Sequence, residues 1–285
     1  MPTIGYISDL HLESWEGQTR MVDPNQPRLP YPLGMGPSLG ALKEAGVSAL
    51  ILAGDIARGK KYYSNQAGTL DYARQASDYL GCPVILVPGN HEYYGGGDFA
   101  TLRAELLAST GNGIFVLDRG ECVIQVGDKA VRFLGATMWT DYLLSGDREA
   151  AMESAAYFMN DHRYIGKAGA HFSVEDALAE HRLSRAWMGE ALKRPHAGPT
   201  VMVTHHVPHG SFRNTGFDLD HAAAGFCSNL NHLMVAATEA QVTAWVFGHH
   251  HFQVDDKVRG VRYLACQSGY PHTRIGFGGP KTFEI

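Results

Sequence analysis

Five short apolar runs recur along the chain, and each ends in a polar stretch rich in Asp, Asn or His. Runs of this length and composition are typical of buried strands. In open α/β sheets, functional sites form beyond the carboxyl ends of the strands. We therefore expect the five polar stretches to meet at one edge of a sheet. The runs and their stretches are Ile4–Ile7 with Ser8-Asp9-Leu10-His11, Ala49–Ala53 with Gly54-Asp55, Val84–Val87 with Gly89-Asn90-His91-Glu92, Val201–Val203 with Thr204-His205-His206, and Ala244–Phe247 with Gly248-His249-His250-His251.

The pattern between these runs predicts helices near the first strands and a group of adjacent strands after them. Three successive runs in the middle of the chain indicate an antiparallel stretch after a βαβ opening. The predicted helices are Ser38–Ala45, Thr69–Leu80, Phe99–Ser109 and Glu175–Lys193, the last within a mostly helical region from Asp147 to Arg194. The further predicted strands are Ile114–Leu117, Cys122–Val126, Val131–Ala136, Arg262–Cys266 and Thr282–Ile285.

Two polar segments each follow one of the polar stretches named above, and we predict that both are loops that lie over those stretches. The first, Trp15–Gly36, contains Pro24, Pro27, Pro30 and Pro32. The second is Val207–Asn231. The candidate substrate contacts in this segment are His209, Arg213, Asn214 and His221. The alternative for each of them is an ordinary surface loop residue.

Composition places the chain among ordinary globular proteins. It has 285 residues, with 45% hydrophobic and 19% charged side chains, and no linker divides it. We expect a single domain over residues 1–285, with a mostly helical insertion around residues 147–195. Nothing in the sequence indicates an oligomeric state.

Charge and cysteine content narrow the classes of partner and compartment. A net charge of −5 and a pI near 6.3 provide no basic surface of the kind that binds nucleic acid, so that partner is not favoured. The four cysteines are scattered, which is typical of buried thiols in a reducing compartment. The N-terminus lacks the pattern of a signal peptide, and no apolar run approaches the ~18 residues of a membrane span. We expect a cytoplasmic protein without membrane contact.

The polar stretches carry the residue types that bind divalent metals. In an extended segment, residues i and i+2 point the same way, so Asp9 and His11 could hold one ion. The same alternation would turn His249 and His251 to one face and His250 away, into an outer layer or solvent. Each stretch alone is commonly a turn or a helix cap. Together, mixed oxygen and imidazole ligands at five strand ends indicate metal binding.

In this combination the sequence resembles the calcineurin-like metallophosphoesterase superfamily. The resemblance rests on Asp9-x-His11, Gly54-Asp55, Gly89-Asn90-His91-Glu92, His205 and Gly248-His249-x-His251, and it covers most of the chain. It implies a four-layer αββα sandwich of two mixed β-sheets flanked by helices. Smaller similarities to a bacterial and phage branch lie in Gly135-Ala136-Thr137-Met138-Trp139-Thr140 and Gly269-Tyr270.

The resemblance also implies a role for each motif residue. Asp9, His11 and His251 would hold one ion. Asn90, His205 and His249 would hold the other, with Asp55 between the two. His91 would lie near the substrate as the acid that protonates the leaving group, and Asp55 and His91 are the residues on which catalysis depends.

Two departures separate the chain from the protein Ser/Thr phosphatase branch of the superfamily. That branch has Gly-Asp-x-His-Gly at its first motif, whereas here Ser8 precedes Asp9 and Leu12 follows His11. It also has Asp-Arg-Gly after its second motif, whereas here Ala57-Arg58-Gly59 comes one residue early. Protein phosphatase activity is therefore not expected. Arg58 is a candidate phosphate contact, with a solvated surface role as the alternative.

The implied activity is hydrolysis of phosphomonoesters or phosphodiesters by a hydroxide that two divalent ions activate. The ions are Mn²⁺, Fe, Zn²⁺, Co²⁺ or Ni²⁺, since this mixed ligand set suits all of them. The expected partner is a small-molecule or nucleotide phosphate ester. The alternatives are a metal-dependent nuclease of the same superfamily and a non-catalytic metal-binding scaffold.

Overall fold

Two β-sheets packed face to face, with helices on both outer faces, form the framework of the protein. The computed structural model describes residues 1–15, 37–58, 68–95, 97–213, 221–270 and 276–285. The strands are β1 Thr3–Ile7, β2 Ala49–Leu52, β3 Val84–Leu86, β4 Ile114–Val116, β5 Gly120–Val126, β6 Lys129–Ala136, β7 Gly166–Lys167, β8 Ala170–His171, β9 Thr200–Thr204, β10 Ala244–Phe247, β11 Val254–Val258, β12 Val261–Ala265 and β13 Lys281–Glu284. The helices are α1 Gly40–Glu44, α2 Thr69–Leu80, α3 Phe99–Ala108, α4 Arg148–Phe158, α5 Asp161–Tyr164, α6 Val174–Lys193 and α7 Asn231–Glu239.

The first sheet has the strand order β13-β1-β2-β3-β4. Strands β1 to β4 run parallel, and β13 pairs antiparallel with β1 at the edge. Because β2 and β3 are buried on both faces, their sequences are continuous apolar runs rather than alternating ones. One helix, α1, α2 or α3, lies in each connection between the successive parallel strands β1 to β4. Helix α2 ends at Gly81, whose left-handed conformation (φ 72°) closes the last turn.

The second sheet has the order β11-β12-β10-β9-β6-β5. The four central strands, β12, β10, β9 and β6, run parallel to one another. At the edges, β11 pairs antiparallel with β12 and β5 pairs antiparallel with β6. Successive side chains of β9 alternate between its two faces, so Val201 and Val203 face the first sheet while Met202 faces the helices. Both sheets are therefore mixed, as the resemblance implied.

Three apolar layers hold the four structural layers together. Between the sheets, residues such as Tyr6, Ile51 and Phe133 form the central core. Helix α2 packs on the outer face of the first sheet through residues such as Tyr72, and α6 and α7 cover the second sheet. The αββα sandwich is confirmed. No helix within the described ranges is long and apolar enough to cross a lipid bilayer.

The prediction of one antiparallel group from residue 114 onward was wrong in part. Strand β4 pairs parallel with β3 in the first sheet, whereas β5 and β6 form a hairpin in the second. The turn at residues 118–119, with Arg119 in the left-handed region (φ 53°), carries the chain from one sheet to the other. Local periodicity identifies strands but contains no information about which sheet each strand joins.

The five strands that precede the polar stretches are likewise divided between the sheets. Strands β1, β2 and β3 belong to the first sheet, and β9 and β10 belong to the second. The expectation of one sheet edge was therefore wrong. The polar stretches meet instead where the carboxyl ends of the two facing sheets come together.

Residues 148–193 are mostly helical, as expected, but also contain the two-stranded hairpin of β7 and β8. Helix α6 begins one residue before its predicted start. Its N-terminus is a capping box, in which the Ser173 hydroxyl accepts from the backbone of Asp176 and the Asp176 carboxylate accepts from the backbone of Ser173. The segment packs against the body of the protein through an aromatic cluster that includes Trp139, Phe99 and Phe172. The loop prediction for residues 16–36 lies outside the described residues.

Candidate metal centre

Backbone hydrogen bonds join the polar stretches to one another. The amide of Asp9 donates to the carbonyl of Gly54 at 2.9 Å, and the amide of His11 donates to the carbonyl of Asp55 at 3.0 Å. Across the sheets, the amide of His249 donates to the carboxylate of Asp9 at 2.9 Å. Two of these bonds join backbone to backbone and the third joins backbone to side chain, and together they fix three of the polar stretches relative to one another.

Five candidate ligands have a left-handed backbone, which non-glycine residues adopt rarely and at a cost of order 1–3 kcal/mol each. The sequence interpretation assumed an extended chain and an i, i+2 alternation at Asp9-x-His11 and His249-x-His251, and this assumption was wrong. The side chains converge because the chain curls at each strand end. The residues and their φ angles are Asp9 54°, His11 44°, Asp55 54°, His249 77° and His251 48°.

Two glycines allow the stretches to approach this closely. A Cβ on Gly89 would lie 2.2 Å from Oδ1 of Asp55, and a Cβ on Gly54 would lie 2.4 Å from Nδ1 of His205. Gly54 also has a positive φ of 86°. Any larger residue at either position would displace a candidate ligand.

Glu92, to which the sequence analysis gave no role, binds the backbone of the second and third polar stretches. Its buried carboxylate accepts hydrogen bonds from the amides of Asp55 at 2.9 Å, Ile56 at 2.8 Å and Gly89 at 2.7 Å. It also accepts from the hydroxyl of Thr69 at 2.8 Å. Glu92 therefore holds two of the polar stretches in register and does not face the candidate ligands.

One half of the site brings together the side chains of Asp55, Asn90, His205 and His249. Nδ1 of His205 lies 2.8 Å from the carbonyl of Ala53. Because a carbonyl only accepts, Nδ1 carries a proton, and Nε2 of the neutral ring is a lone pair. Nε2 of His205 lies 3.0 Å from the side-chain oxygen of Asn90, 3.1 Å from Nδ1 of His249 and 3.4 Å from Oδ1 of Asp55.

Nδ1 of His249 faces Nε2 of His205 at 3.1 Å, and two ring nitrogens at this distance need a proton or a metal cation between them. In the metal-free protein a proton on Nε2 of His205 serves this purpose. Burial disfavours the charged ring, but the Asp55 carboxylate outweighs it and raises the pKa of His205 to about 10. The same four groups are a donor set for a divalent ion, so these residues fit a metal.

The other half of the site contains Asp9, His11 and His251 beside the second oxygen of Asp55. Nδ1 of His11 lies 3.3 Å from the carboxylate of Glu13, so its proton is on that nitrogen, and Nε2 faces Nε2 of His251 at 2.9 Å. Nε2 of His251 lies 3.6 Å from Oδ1 of Asp9, and Nε2 of His11 lies 3.8 Å from Oδ2 of Asp55. Burial raises the pKa of Asp9 to about 6, which a bound cation would reverse.

The structure brings the residues of each predicted ligand set close together. Asp9, His11 and His251 offer ligand atoms that lie within 4.8 Å of one another, as do Asp55, His205 and His249. Asn90 faces the second cluster through its oxygen. A third combination, His11 with Asp55 and His91, has the same spacing, so His91 lies at the boundary between the clusters.

His91 is held by partners on both ring nitrogens. Nδ1 lies 2.9 Å from the carboxylate of Glu13, and Nε2 lies 3.2 Å from the hydroxyl of Tyr270. The ring stacks on Tyr94 at 4.2 Å between centroids. Burial opposes protonation, but the charge of Asp55 and the bond to Glu13 raise the pKa of His91 to about 9. His91 is therefore an imidazolium at neutral pH in the metal-free protein.

Sequence reasoning missed Glu13 and Tyr270 as parts of this arrangement. Burial would raise the pKa of the Glu13 carboxyl, but hydrogen bonds from His11 and His91 hold it well below its usual range. Tyr270 also stacks on His11 at 4.2 Å. The position of Glu13, two residues after His11, was a signal available in the sequence. The Gly269-Tyr270 similarity was another, but it contained no indication that Tyr270 contacts His11 and His91 from the other end of the chain.

The remaining histidines of the motifs do not face the ligand clusters in the same way. His250 is only 8% exposed and lies beside Phe226, 5.7 Å between centroids, so of the two predicted positions the solvent-exposed one was wrong and the outer-layer one remains. His206 has Nδ1 3.1 Å from the carbonyl of Thr137. Burial and the neighbouring His205 lower the pKa of His206 to about 3, which keeps its ring neutral.

The other candidate substrate contacts have the following partners. Arg58 is 35% exposed, with Nε 3.9 Å from the carboxylate of Glu13 and the guanidinium over the rings of Tyr94 and Tyr164. His209 bonds Ser211 within its own loop. His221 bonds Ser145, and Arg213 donates to the carbonyl of Gly210. Asn214 lies outside the described residues.

Comparison with known proteins agrees with this arrangement. The sequence profile of the calcineurin-like phosphoesterases matches residues 2–253, so the chain belongs to that family. A protein of Acanthamoeba polyphaga mimivirus, described only as uncharacterized, is 23% identical over 208 residues, which are 68% of this chain and 70% of the viral protein.

Two solved structures share the fold. A phosphopantetheinyl hydrolase from Mycobacterium tuberculosis superposes with a TM-score of 0.63 at 18% identity, covering 95% of this chain and 90% of that one. A dimetal phosphatase from Danio rerio superposes with a TM-score of 0.52 at 15% identity, covering 99% of this chain and 91% of that one. At these identities the likeness concerns the fold.

Proposed function

We propose that this protein is a dinuclear metal-dependent phosphoesterase that hydrolyses phosphomonoesters or phosphodiesters. The observation that carries the proposal is the convergence of the side-chain oxygen of Asn90, Nε2 of His205 and Nδ1 of His249 on one point beside Asp55. These buried polar atoms make few other hydrogen bonds and form a donor set that suits a divalent ion. Membership of the calcineurin-like phosphoesterases and the likeness in fold to a dimetal phosphatase support the reaction class.

The ligand assignment follows the two clusters. Asp9, His11 and His251 would hold one ion, and Asn90, His205 and His249 would hold the other. Asp55 would serve both, since its Oδ1 lies 3.4 Å from His205 and its Oδ2 lies 3.8 Å from His11. The absence of cysteine from the set argues against a structural thiolate zinc site. Mn²⁺, Fe, Zn²⁺, Co²⁺ and Ni²⁺ all suit these donors.

When bound, divalent ions at such a site polarise the phosphate ester and supply an activated water. The protein residues then have two tasks. The buried ligands would hold the ions in fixed positions in a water-poor site, where charge on the phosphoryl oxygens is better stabilised than in solution. His91, held by Glu13 and stacked on Tyr94, would give its Nε2 proton to the leaving oxygen as the P–O bond breaks.

The test is a metal and substrate panel on one preparation. Protein depleted of metal and reloaded with Mn²⁺ is assayed on an aryl phosphate, its aryl diester, cyclic nucleotides and single-stranded DNA. We expect turnover of a monoester or diester only after reloading. Cleavage of DNA alone would identify a nuclease. Protein that retains two ions per chain but turns over none of these esters would identify a scaffold and refute the proposal.

Activity is expected to fall on both sides of a pH optimum. Imidazole ligands bind metal only when neutral, so protons displace the ions as the pH falls below about 6.5. His91 donates a proton only below its pKa of about 9, so the alkaline limb lies at or below that value when cations are bound nearby. Profiles of kcat/KM for the native protein and His91→Ala would check both limbs. A profile that stays flat down to about pH 4 would contradict histidine ligation.

The three consecutive histidines are expected to differ sharply in effect. His249→Ala and His251→Ala should each lose metal and nearly all activity, because each removes a nitrogen from one cluster. His250→Ala should keep both ions and a substantial fraction of its rate. Metal content by mass spectrometry and kcat on an aryl phosphate would decide. If His250→Ala loses the metal while His249→Ala keeps it, the ligand assignment must be redrawn.

A further inference from the structure

A buried aspartate from the helical segment contacts one of the candidate ligands from behind. Asp161, the first residue of α5, is 2% exposed. Its Oδ1 accepts a hydrogen bond from the side-chain NH₂ of Asn90 at 2.7 Å and another from the hydroxyl of Tyr94 at 2.5 Å. Seventy-one positions separate Asp161 from Asn90 in sequence, so only the packing of α5 against the body of the protein creates this contact.

The contact decides which end of the Asn90 amide faces the candidate ions. A side-chain amide has one oxygen that accepts and one NH₂ that donates. An ionised carboxylate only accepts, so it selects the NH₂ and leaves the oxygen of Asn90 to face Nε2 of His205 at 3.0 Å. In the opposite orientation the NH₂ of Asn90 would face the other ligands, and an NH₂ cannot bind a cation.

Orientation of the Asn90 amide is the role that its contacts give to the buried carboxylate of Asp161. Within the part of the chain that the structure describes, no lysine or arginine forms an ion pair with it. Burial of an unpaired carboxylate is unfavourable unless hydrogen bonds offset it. Here the donors are Tyr94, which also stacks on His91, and Asn90. Both donors belong to the Gly89–Tyr94 region that carries two of the candidate site residues.

We infer that Asp161 is a positioning residue that holds the Asn90 oxygen toward the ion shared with His205 and His249. This inference rests on the proposed ligand role of Asn90. It assigns to the helical segment a part in metal affinity, because the segment supplies the acceptor that orients a ligand from a neighbouring strand end. Such outer partners of metal ligands typically change affinity by about 10–100-fold.

The first experiment compares metal binding by the native protein and Asp161→Asn. An amide at 161 can present either its oxygen or its NH₂ to Asn90, so the orientation of Asn90 is no longer fixed. We expect one of the two Mn²⁺ ions to bind about 10–100-fold more weakly and the other to keep its affinity. Titration calorimetry counts both ions, and Mn²⁺ electron paramagnetic resonance should change from a coupled pair to a single-ion signal.

Asp141→Asn is the matched control, since Asp141 is also a buried aspartate, 7% exposed, whose Oδ1 accepts from the backbone of Leu143 rather than from a candidate ligand. It should bind both ions normally. The thermal melting temperature of each metal-free variant separates a local loss of affinity from general destabilisation, which would weaken both ions together.

A reciprocal exchange provides the rescue. In Asn90→Asp with Asp161→Asn, both oxygens at position 90 can accept, and the new amide at 161 can donate to one of them while the other faces the ion. This double variant should bind two ions again. The inference is overturned if Asp161→Asn binds both ions with native affinity, or if both ions weaken equally. Native protein that binds no divalent metal would instead remove the proposed function, and this inference with it.

Discussion

Asp55→Ala is expected to lose both divalent ions and to reduce kcat/KM by about 10³-fold or more, which corresponds to about 4 kcal/mol of transition-state stabilisation. The carboxylate of Asp55 directs one oxygen toward each cluster, at 3.4 Å from His205 and 3.8 Å from His11. Its Oδ1 also accepts the backbone amide of His91 at 2.9 Å. One substitution therefore removes a ligand from both ions and a support from the candidate acid.

The measurement is metal content per chain after dialysis, together with turnover of an aryl phosphate. Asp255→Ala, at a carboxylate that is 47% exposed on β11, is the control for loss of an aspartate far from the site and should behave as the native protein does. A melting temperature for each metal-free variant establishes that both fold. Two ions retained by Asp55→Ala would refute its shared role.

His91→Ala is expected to keep both ions and to lose roughly 10²–10⁴-fold in kcat. His91 lies at the edge of the clusters, with its two ring nitrogens directed to Glu13 and Tyr270, so its loss removes a proton donor and leaves Asp9, His11 and His251 in place. The loss should depend on the leaving group. Esters of alcohols need protonation of the departing oxygen far more than nitrophenyl esters do.

Comparison of a nitrophenyl ester with an alkyl ester measures this dependence. If His91 is a general acid, we expect His91→Ala to lose little kcat on the nitrophenyl ester and much kcat on the alkyl ester, with metal content unchanged. Equal losses on both esters would argue that His91 acts otherwise, for example by orienting the substrate. Glu13→Gln should show a weaker form of the same pattern, because Glu13 contributes to the raised pKa of His91.

Part of the site was predictable because its signals are local. An apolar run followed by Asp, Asn or His requires only a few consecutive residues, and β1, β2, β3, β9 and β10 all occur where those runs predict strands. The glycines before Asp55 and Asn90 are also local signals, and a Cβ at either position would lie within 2.4 Å of a side-chain atom of the site. The chemical type of each candidate ligand could thus be read without a fold.

The backbone conformation at the ligands could not be predicted in this way. The left-handed φ angles of Asp9, His11 and Asp55 are unfavourable locally and persist only because other segments hold them. The amides of Asp9 and His11 bond to the second stretch, and the carboxylate of Asp9 accepts from His249, 240 residues away. An argument from strand alternation therefore placed these candidate side chains together on the basis of an incorrect conformation.

By itself the sequence determined the apolar strands, the polar residues that follow them and the donor chemistry that suits divalent metal. The tertiary structure alone decided that these strands are divided between two facing sheets, that Glu13 and Tyr270 flank His91, and that Asp161 orients Asn90. The physical reason is distance along the chain. Periodicity and residue type act over a few residues, whereas these contacts join segments tens to hundreds of residues apart and exist only once both sheets and the helical segment have packed.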